Sequence, residues 1–175
     1  SVSMSSILIS LFLIFIFLIP ATFMYAALRA VAWVPTRRRD VSRIMKHMAV
    51  KPGDVVYDLG CGDGRLLVAA AKAGARATGF EISLMQFLMA WVRVQFGVRP
   101  KPRVRFRDFW HTSFADADVI YCFLIPRIMP RLRDKCLKEL KPGTRVVSYM
   151  WSIPGWEPVV VDSPAGERKI FVYVR

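Results

Sequence analysis

Asp58-Leu59-Gly60-Cys61-Gly62-Asp63-Gly64 is the stretch of sequence that decides the fold. It begins inside a short apolar run rich in β-branched residues, 55–59, and leads into an apolar-periodic run, 65–73, that Gly74 closes. This order predicts a buried strand, a glycine-rich turn and a helix. Glycine permits so tight a turn, and its missing Cβ lets a ligand approach the backbone closely.

Strand and helix patterns alternate along the rest of the chain. Further strands are predicted at residues 76–81, 104–106, 119–124 and 145–150, and helices at 83–96 and 130–140. Residues 158–162 and 169–174 flank the turn sequence Ser-Pro-Ala-Gly, which indicates a closing hairpin. The pattern predicts an α/β fold: a Rossmann-like, doubly wound, mostly parallel seven-stranded sheet with a C-terminal antiparallel hairpin.

A hydrophobic segment precedes this fold. Residues 7–28 contain no charged side chain, and their length matches the ~20 residues that a helix needs to cross a bilayer core. A cleaved signal peptide is the alternative, although no basic residue precedes Arg29 and the apolar run is long for one. We therefore predict a transmembrane anchor at 1–30, a basic linker and helix at 31–53, and a catalytic domain at 54–175.

The charge of the chain is strongly positive and unevenly placed. The formal net charge is +13, and residues 29–52 carry seven basic side chains against the single acid Asp40. Basic residues beside a span favour the cytoplasmic side, so the domain is predicted to face the cytoplasm or an organelle matrix. The same cluster would attract anionic lipid headgroups. No recognised nucleic-acid-binding motif accompanies the charge.

The remaining polar residues predict no metal site. Cys61, Cys122 and Cys136 have neither metal-ligand spacing nor the even number of a disulfide framework, so reduced thiols are expected. His47 and His111 stand alone, without a second ligand nearby in the sequence.

The glycine stretch differs from the dinucleotide fingerprint G-x-G-x-x-G, because the sixth position from Gly60 is Arg65. A G-x-G-x-G sequence with an acid two residues before it resembles the class I methyltransferases. In that superfamily the loop holds the amino-acid end of S-adenosylmethionine. The resemblance implies cofactor contacts from six loop residues: Asp58, Gly60, Cys61, Gly62, Asp63 and Gly64.

Two further strand ends are predicted to complete the cofactor site. Glu81 ends the second strand, where a carboxylate can accept hydrogen bonds from both ribose hydroxyls, with Ile82 beside it. Asp108 follows the third strand, where in this fold an acid can accept from the adenine amino group while Phe109 packs on the ring.

Residues 34–175 resemble the lysine methyltransferase family whose mitochondrial members act on adenine nucleotide translocase and the c subunit of ATP synthase. A membrane segment before a basic stretch also belongs to that family's layout. The matching stretches are Val34-Pro35-Thr36, Asp58-Leu59-Gly60, Gly62-Asp63-Gly64-Arg65, Gly79-Phe80-Glu81, Asp108-Phe109-Trp110, Phe123-Leu124-Ile125-Pro126, Gly143-Thr144-Arg145-Val146-Val147-Ser148 and Pro154-Gly155-Trp156.

This resemblance implies an S-adenosylmethionine-dependent protein-lysine N-methyltransferase acting on a membrane protein. A lysine at its reference pKa of about 10.4 is protonated at pH 7, so the site must desolvate the ammonium or accept its proton. Aromatic walls desolvate such a group and hold it by cation–π contact. The predicted substrate rim consists of Trp110, Tyr121, Tyr149 and Trp151, with Trp156 nearby, and Asp108 is the only candidate acid.

Other functions stay open at this point. The fourth strand ends in Phe123-Leu124-Ile125-Pro126, not in the Asn/Asp-Pro-Pro-aromatic sequence of enzymes that methylate base amino groups, so no nucleic-acid substrate is predicted. A lipid headgroup amine or a quinone precursor is an alternative acceptor at a membrane. A non-catalytic cofactor-binding scaffold is a second alternative. The sequence leaves the acceptor and the oligomeric state undetermined.

Overall fold

The computed structural model describes residues 3–28, 35–96 and 98–175. Parts of the predictions above lie outside these ranges: residues 1, 2, 29 and 30 of the predicted anchor, and residues 31–34 of the predicted linker, including Val34.

Seven strands form one sheet in the order β3-β2-β1-β4-β5-β7-β6. The first five are parallel, while β7 runs antiparallel to both of its neighbours. This arrangement confirms the predicted fold class and its C-terminal hairpin. The strands are β1 Val55–Leu59, β2 Arg76–Glu81, β3 Arg103–Phe106, β4 Val119–Cys122, β5 Arg145–Tyr149, β6 Val160–Asp162 and β7 Ile170–Val174.

Helices cover both faces of the sheet. One core cluster joins the sheet to α2, α3 and α4, and a second joins it to α5 and the segment 107–118. Because α2 contributes Ile44 and Met48 to the first cluster, this helix packs as part of the domain core. The helices are α1 Met4–Leu28, α2 Val41–Met48, α3 Arg65–Lys72, α4 Leu84–Val94 and α5 Met129–Glu139.

The hydrophobic segment forms a single helix, α1. Its stretch Met4–Thr22 is long and apolar enough to cross a membrane and is not buried by the rest of the chain. A signal sequence meets the same criteria, so membrane insertion stays a prediction here. Near its C-terminal end α1 reaches the domain, where the Leu84 backbone N–H donates to Thr22 Oγ1 at 3.4 Å. Thr22 therefore lies beside the first residue of α4.

The strand order reverses between β1 and β4, which lie side by side although two strands separate them in sequence. In open α/β sheets, ligands bind outside the carboxyl ends of the strands at such a switch point. Leu59 is in register with Phe80 on one side and Cys122 on the other, so the three strands end at one edge. The residues that follow them meet there.

Candidate active site

The glycine stretch forms a tight turn that is fastened to β2. Gly60, Gly62 and Gly64 all have positive φ, at 76°, 54° and 75°, a region that glycine adopts without strain. The N–H groups of Gly60 and Cys61 both donate to the Phe80 carbonyl at 3.0 Å. Much of the loop's hydrogen-bonding capacity therefore serves its own shape, a use that the sequence did not reveal.

Space for a ligand lies above Gly62, because a Cβ built on this residue would meet no atom within 4 Å. Cys61 points the other way. A Cβ at Gly79 would lie 2.6 Å from the Cys61 Sγ, so β2 requires a glycine opposite this thiol. Burial raises the pKa of the Cys61 thiol well above its ordinary value, as does the nearby Asp58 charge. The thiol is therefore turned away from this space, and the Cys61 N–H and carbonyl both form hydrogen bonds within the fold.

Glu81 ties the loop to the end of β2. One carboxylate oxygen accepts from the Gly62 N–H at 3.0 Å, and the other accepts from the N–H groups of Ile82 and Ser83 at 2.9 Å each. Burial raises the pKa of Glu81, while these three backbone hydrogen bonds oppose the rise. A carboxylate offers about four acceptor sites, and three are used here, so about one remains for a ribose hydroxyl.

Asp58 is a buried residue near the end of β1, two positions before Gly60. The residue is 3% exposed, and its Oδ1 has no hydrogen-bond partner among the described residues. Burial raises the pKa of Asp58 well above its ordinary value, and the charges of Glu81 and Asp63 raise it further. A buried carboxylate without a partner is costly, and a cationic ligand group would remove that cost.

Asp63 has arginine partners instead. Arg65 Nη2 lies 2.7 Å and Arg93 Nη2 2.9 Å from Asp63 Oδ2. Burial alone would raise the pKa of Asp63, but the hydrogen bonds and charges of these arginines outweigh it and the pKa is lowered. Arg65 also donates to the Thr36 carbonyl, so Asp63 fastens the loop to α3, α4 and the linker. Neither arginine was assigned a role from the sequence.

Six of the predicted site residues line a single cavity at the carboxyl end of the sheet. Within it, Asp108 Oδ1 accepts from the Trp110 N–H at 3.0 Å, and Phe109 is buried against Trp110 with ring centroids 4.7 Å apart. Arg131 stacks on the Trp110 ring at 4.1 Å. The six residues are Gly60, Glu81, Ile82, Asp108, Phe109 and Trp110.

Comparison with known proteins places this arrangement in a family. A model described as the ANTKMT methyltransferase domain matches residues 58–160. A protein-lysine N-methyltransferase from Saccharolobus islandicus is 35% identical over 82% of this chain and 93% of its own length. The chain belongs to the ANTKMT methyltransferase family. It is an S-adenosylmethionine-dependent methyltransferase.

Two more relatives extend the comparison. A Rattus norvegicus lysine N-methyltransferase, named for the c subunit of ATP synthase, is 33% identical over 89% of this chain and 71% of its own length. A crystal structure described as an RNA methyltransferase, from Salinibacter ruber in complex with S-adenosyl-L-homocysteine, has a TM-score of 0.76 and 31% identity. The match covers 81% of this chain and 93% of the Salinibacter chain. Cofactor and family agree with the resemblance found in the sequence.

The residues present fit this cofactor. S-adenosylmethionine carries an ammonium group, a ribose and an adenine, and supplies an activated methyl group on a sulfonium centre. The Asp58 oxygen without a partner among the described residues suits the ammonium, and the Glu81 carboxylate suits the ribose. The space above Gly62 leaves room for the chain between them.

Tyr121 and Tyr149, predicted for the substrate rim, are buried beneath the linker, at 2% and 0% exposure. The Tyr121 hydroxyl lies 2.9 Å from Thr36 Oγ1, and the Tyr149 hydroxyl bonds to Asp40. Burial raises the pKa of Tyr149 to about 12, and the Asp40 carboxylate adds to the rise. Asp40 was missed as a structural residue, although its position as the lone acid in a basic stretch was a signal.

The tryptophans after β5 differ in placement. Trp151 is 38% exposed and follows Met150, a non-glycine residue with φ of 76°. Such a left-handed conformation costs about 1–2 kcal/mol and is concentrated at functional sites. Trp156 instead packs on Tyr173, with ring centroids 5.1 Å apart. Of the predicted rim candidates, Trp110, Trp151 and Trp156 keep exposed surface, whereas Tyr121 and Tyr149 are buried.

Replacing Tyr149 by phenylalanine is expected to lower the free energy of unfolding by about 1–3 kcal/mol, because the buried Asp40 carboxylate loses its hydroxyl partner. Tyr121→Phe, whose partner Thr36 is neutral, should cost about 1 kcal/mol. Urea unfolding of both variants measures the difference. Equal losses would contradict a charge-assisted bond between the linker and β5.

Proposed function

We propose that this enzyme methylates lysine side chains of a membrane protein, with its catalytic domain at the bilayer surface on the cytoplasmic or matrix side. One observation carries the proposal: a cavity of about 390 Å³ lies between α1 and residues predicted to bind the adenosine part of the cofactor. Ala21, Thr22 and Tyr25 of α1 line it together with Ile82, Phe106, Arg107 and Asp108.

This cavity shares three residues with the cofactor cavity: Ile82, Arg107 and Asp108. An acceptor that enters beside α1 would therefore arrive next to the predicted adenosine contacts. If Met4–Thr22 spans the bilayer, the entrance opens where that span ends. A lysine of a membrane protein, or a headgroup amine, would reach it without leaving the membrane surface.

The charge beside α1 supports the proposed orientation. Arg37, Arg38 and Arg39 are exposed, close to the end of the helix in sequence. Basic side chains near a span favour the cytoplasmic or matrix side. They also attract anionic headgroups, at about 1 kcal/mol for each residue held near the surface.

The names of two relatives favour lysine over a lipid acceptor. The Saccharolobus and Rattus proteins are both named as lysine N-methyltransferases. The proposed cofactor contacts are Asp58, Glu81, Ile82, Asp108, Phe109 and the backbone of residues 60–64. Trp110 and Trp151 form the proposed rim, where partial burial would lower the pKa of an incoming lysine and free its nitrogen for methyl transfer.

The test is methylation of host membranes by the purified full-length enzyme with methyl-labelled S-adenosylmethionine, followed by separation of protein from lipid. Gly62→Arg is the matched control, since its side chain would project into the open space above the loop. We expect label in a discrete protein band, absent from the control. Mass spectrometry of the digested band should assign the label to lysine.

The other outcomes separate the alternatives. Label in the lipid fraction alone would replace the lysine proposal by headgroup or quinone-precursor methylation. Label that nuclease removes would assign an RNA acceptor, the substrate named for the Salinibacter structure. Cofactor binding with no label in membranes or soluble extract would indicate a scaffold that does not catalyse transfer.

A further inference from the structure

The segment from Ile82 to Arg107 has an unusual charge pattern: six basic side chains and no acidic one. Arg93 is paired with Asp63. The other five are exposed, and none forms an ion pair with a carboxylate within the described ranges. They are Arg99, Lys101, Arg103, Arg105 and Arg107.

Helix α4, in the same segment, exposes an apolar stripe. Met85, Met89 and Val92 are 40%, 41% and 51% exposed, and Phe96, just beyond the helix, is 72% exposed. Their spacing of four, three and four residues places them along one side of the helix. The opposite side buries Gln86, Ala90 and Val94 in the domain. An exposed apolar surface of this kind indicates a contact with a membrane or with another protein.

The apolar and basic features meet in one groove. Trp91, 49% exposed, lines a groove of about 540 Å³ with Lys101, Arg103 and Arg105. An exposed tryptophan beside clustered cations is typical of surfaces that lie in the headgroup region of a membrane. Arg103 and Arg105 belong to β3, the edge strand of the sheet, and they also line a larger groove on the face of the sheet opposite α4.

The position of α1 favours the bilayer as the occupant. The first residue of α4, Leu84, bonds to Thr22 at the end of the apolar stretch of α1. The stripe therefore begins where that helix would leave the membrane and continues for about 16 Å along α4, at 1.5 Å per residue. Phe106, the last residue of β3, and Arg107 after it line the cavity beside α1, so the end of β3 lies at the same place.

We propose that α4 and β3 form a second membrane contact, which binds the surface of a bilayer containing anionic phospholipids. The apolar stripe enters the interface, and Lys101, Arg103 and Arg105 bind phosphate groups. This inference rests on the membrane attachment in the proposed function and deepens it. Two contacts fix the orientation of the domain, so the cavity beside α1 opens toward the membrane.

The test places a polarity-sensitive fluorophore on a cysteine at position 89 in the full chain. The native cysteines 61, 122 and 136 are all buried, so labelling is selective. Lys138→Cys on α5, across the sheet, is the matched control. In vesicles of phosphatidylcholine with phosphatidylglycerol, we expect nitroxide-labelled lipid to quench the label of Met89→Cys and not that of Lys138→Cys.

A charge variant tests the basic half of the surface. Each basic residue near an anionic membrane contributes about fivefold to binding, so the combined change K101Q, R103Q and R105Q should lower the affinity of the contact about 100-fold. The quenching at position 89 should fall accordingly, while α1 keeps the chain in the vesicles. Thermal unfolding confirms that each variant is folded.

Four outcomes would overturn the inference. Vesicle flotation without quenching at position 89 would refute this surface alone, whereas loss of flotation would refute the membrane attachment as well. A change in the fluorescence of the label on adding short single-stranded RNA, with no change on adding vesicles, would assign the cations to nucleic-acid binding. A spectral shift that depends on protein concentration would assign the stripe to a second copy of the chain.

Discussion

Asp58→Asn should stabilise the cofactor-free enzyme while weakening its affinity for S-adenosylmethionine about 10- to 100-fold. The two effects have one cause. The buried carboxylate has an oxygen without a partner in the described residues, close to the charges of Glu81 and Asp63. Removing its charge lowers the cost of burial in the cofactor-free enzyme but removes the proposed charge-assisted hydrogen bond to the cofactor ammonium. Isothermal titration calorimetry and urea unfolding measure the two effects separately.

The stability gain should depend on pH. The folded-state pKa of Asp58 lies well above its ordinary value of 3.8, so between these two values the folded chain binds more protons than the unfolded chain. Stability then falls as the pH rises through this window. Asparagine does not titrate. The advantage of Asp58→Asn should therefore be small near pH 3.8, grow upward from there, and level off above the folded pKa.

Asp118→Asn is the matched control at the opposite end of β1. Asp118 pairs with Lys141 at 2.6 Å and accepts from the Val55 N–H at 2.8 Å, and these interactions hold its pKa below the ordinary value. Replacing Asp118 by asparagine should destabilise the fold and leave cofactor affinity unchanged. If both variants lost stability and Asp58→Asn bound the cofactor normally, the assignment of Asp58 to the ammonium would be wrong.

The fold was predictable because its signals are local. Valine-rich runs at β1 and β5, each ended by a polar or glycine-rich turn, identify buried strands without knowledge of their partners. The meeting of several predicted site residues in one cavity has a related cause. Gly60, Glu81 and Asp108 lie at or within two residues of strand ends, and the strand order brings such positions to one edge.

The burial of Tyr121 and Tyr149 was not predictable in this way. Their partners Thr36 and Asp40 lie 85 and 109 residues away in sequence, in a linker whose path across the strand ends no periodicity reveals. Whether an aromatic residue at a strand end is accessible depends on what covers it. Two strands were predicted too long at their carboxyl ends: β4 stops at Cys122 and β5 at Tyr149. After β4 the chain forms a short 3-10 helix at Pro126–Ile128.

Loss of the Glu81 carboxylate should lower both the free energy of unfolding and the affinity for the cofactor. The loss of stability should be larger in Glu81→Ala than in Glu81→Gln. In Glu81→Ala the N–H groups of Gly62, Ile82 and Ser83 lose their acceptor. Each unsatisfied buried donor costs about 1–3 kcal/mol, so the free energy of unfolding should fall by about 3 kcal/mol or more. This is a large fraction of a typical stability of about 5–15 kcal/mol.

Glu81→Gln separates folding from binding. Its amide oxygen can still accept from Ile82 and Ser83, and only the Gly62 N–H then faces a donor, so about 1–3 kcal/mol of stability is lost. The charge that would bind the ribose hydroxyls is gone in both variants. At a cofactor concentration of about 100 times the wild-type Kd, ligand stabilisation of about 2.7 kcal/mol should largely disappear.

Glu139→Gln provides the control for a glutamate that serves only the fold. Glu139 accepts from the Phe114 N–H at 2.9 Å and pairs with Lys135 at 2.6 Å, remote from the cofactor cavity. This variant should lose stability yet keep its full stabilisation by S-adenosylmethionine in thermal unfolding. A Glu81→Gln variant that behaved in the same way would mean that Glu81 only shapes the glycine loop, and that the ribose is bound elsewhere. If S-adenosylmethionine fails to stabilise Glu81→Gln but still stabilises Glu139→Gln, the ribose contact is assigned to the Glu81 carboxylate. Both variants replace glutamate by glutamine, so they differ only in where the charge is removed.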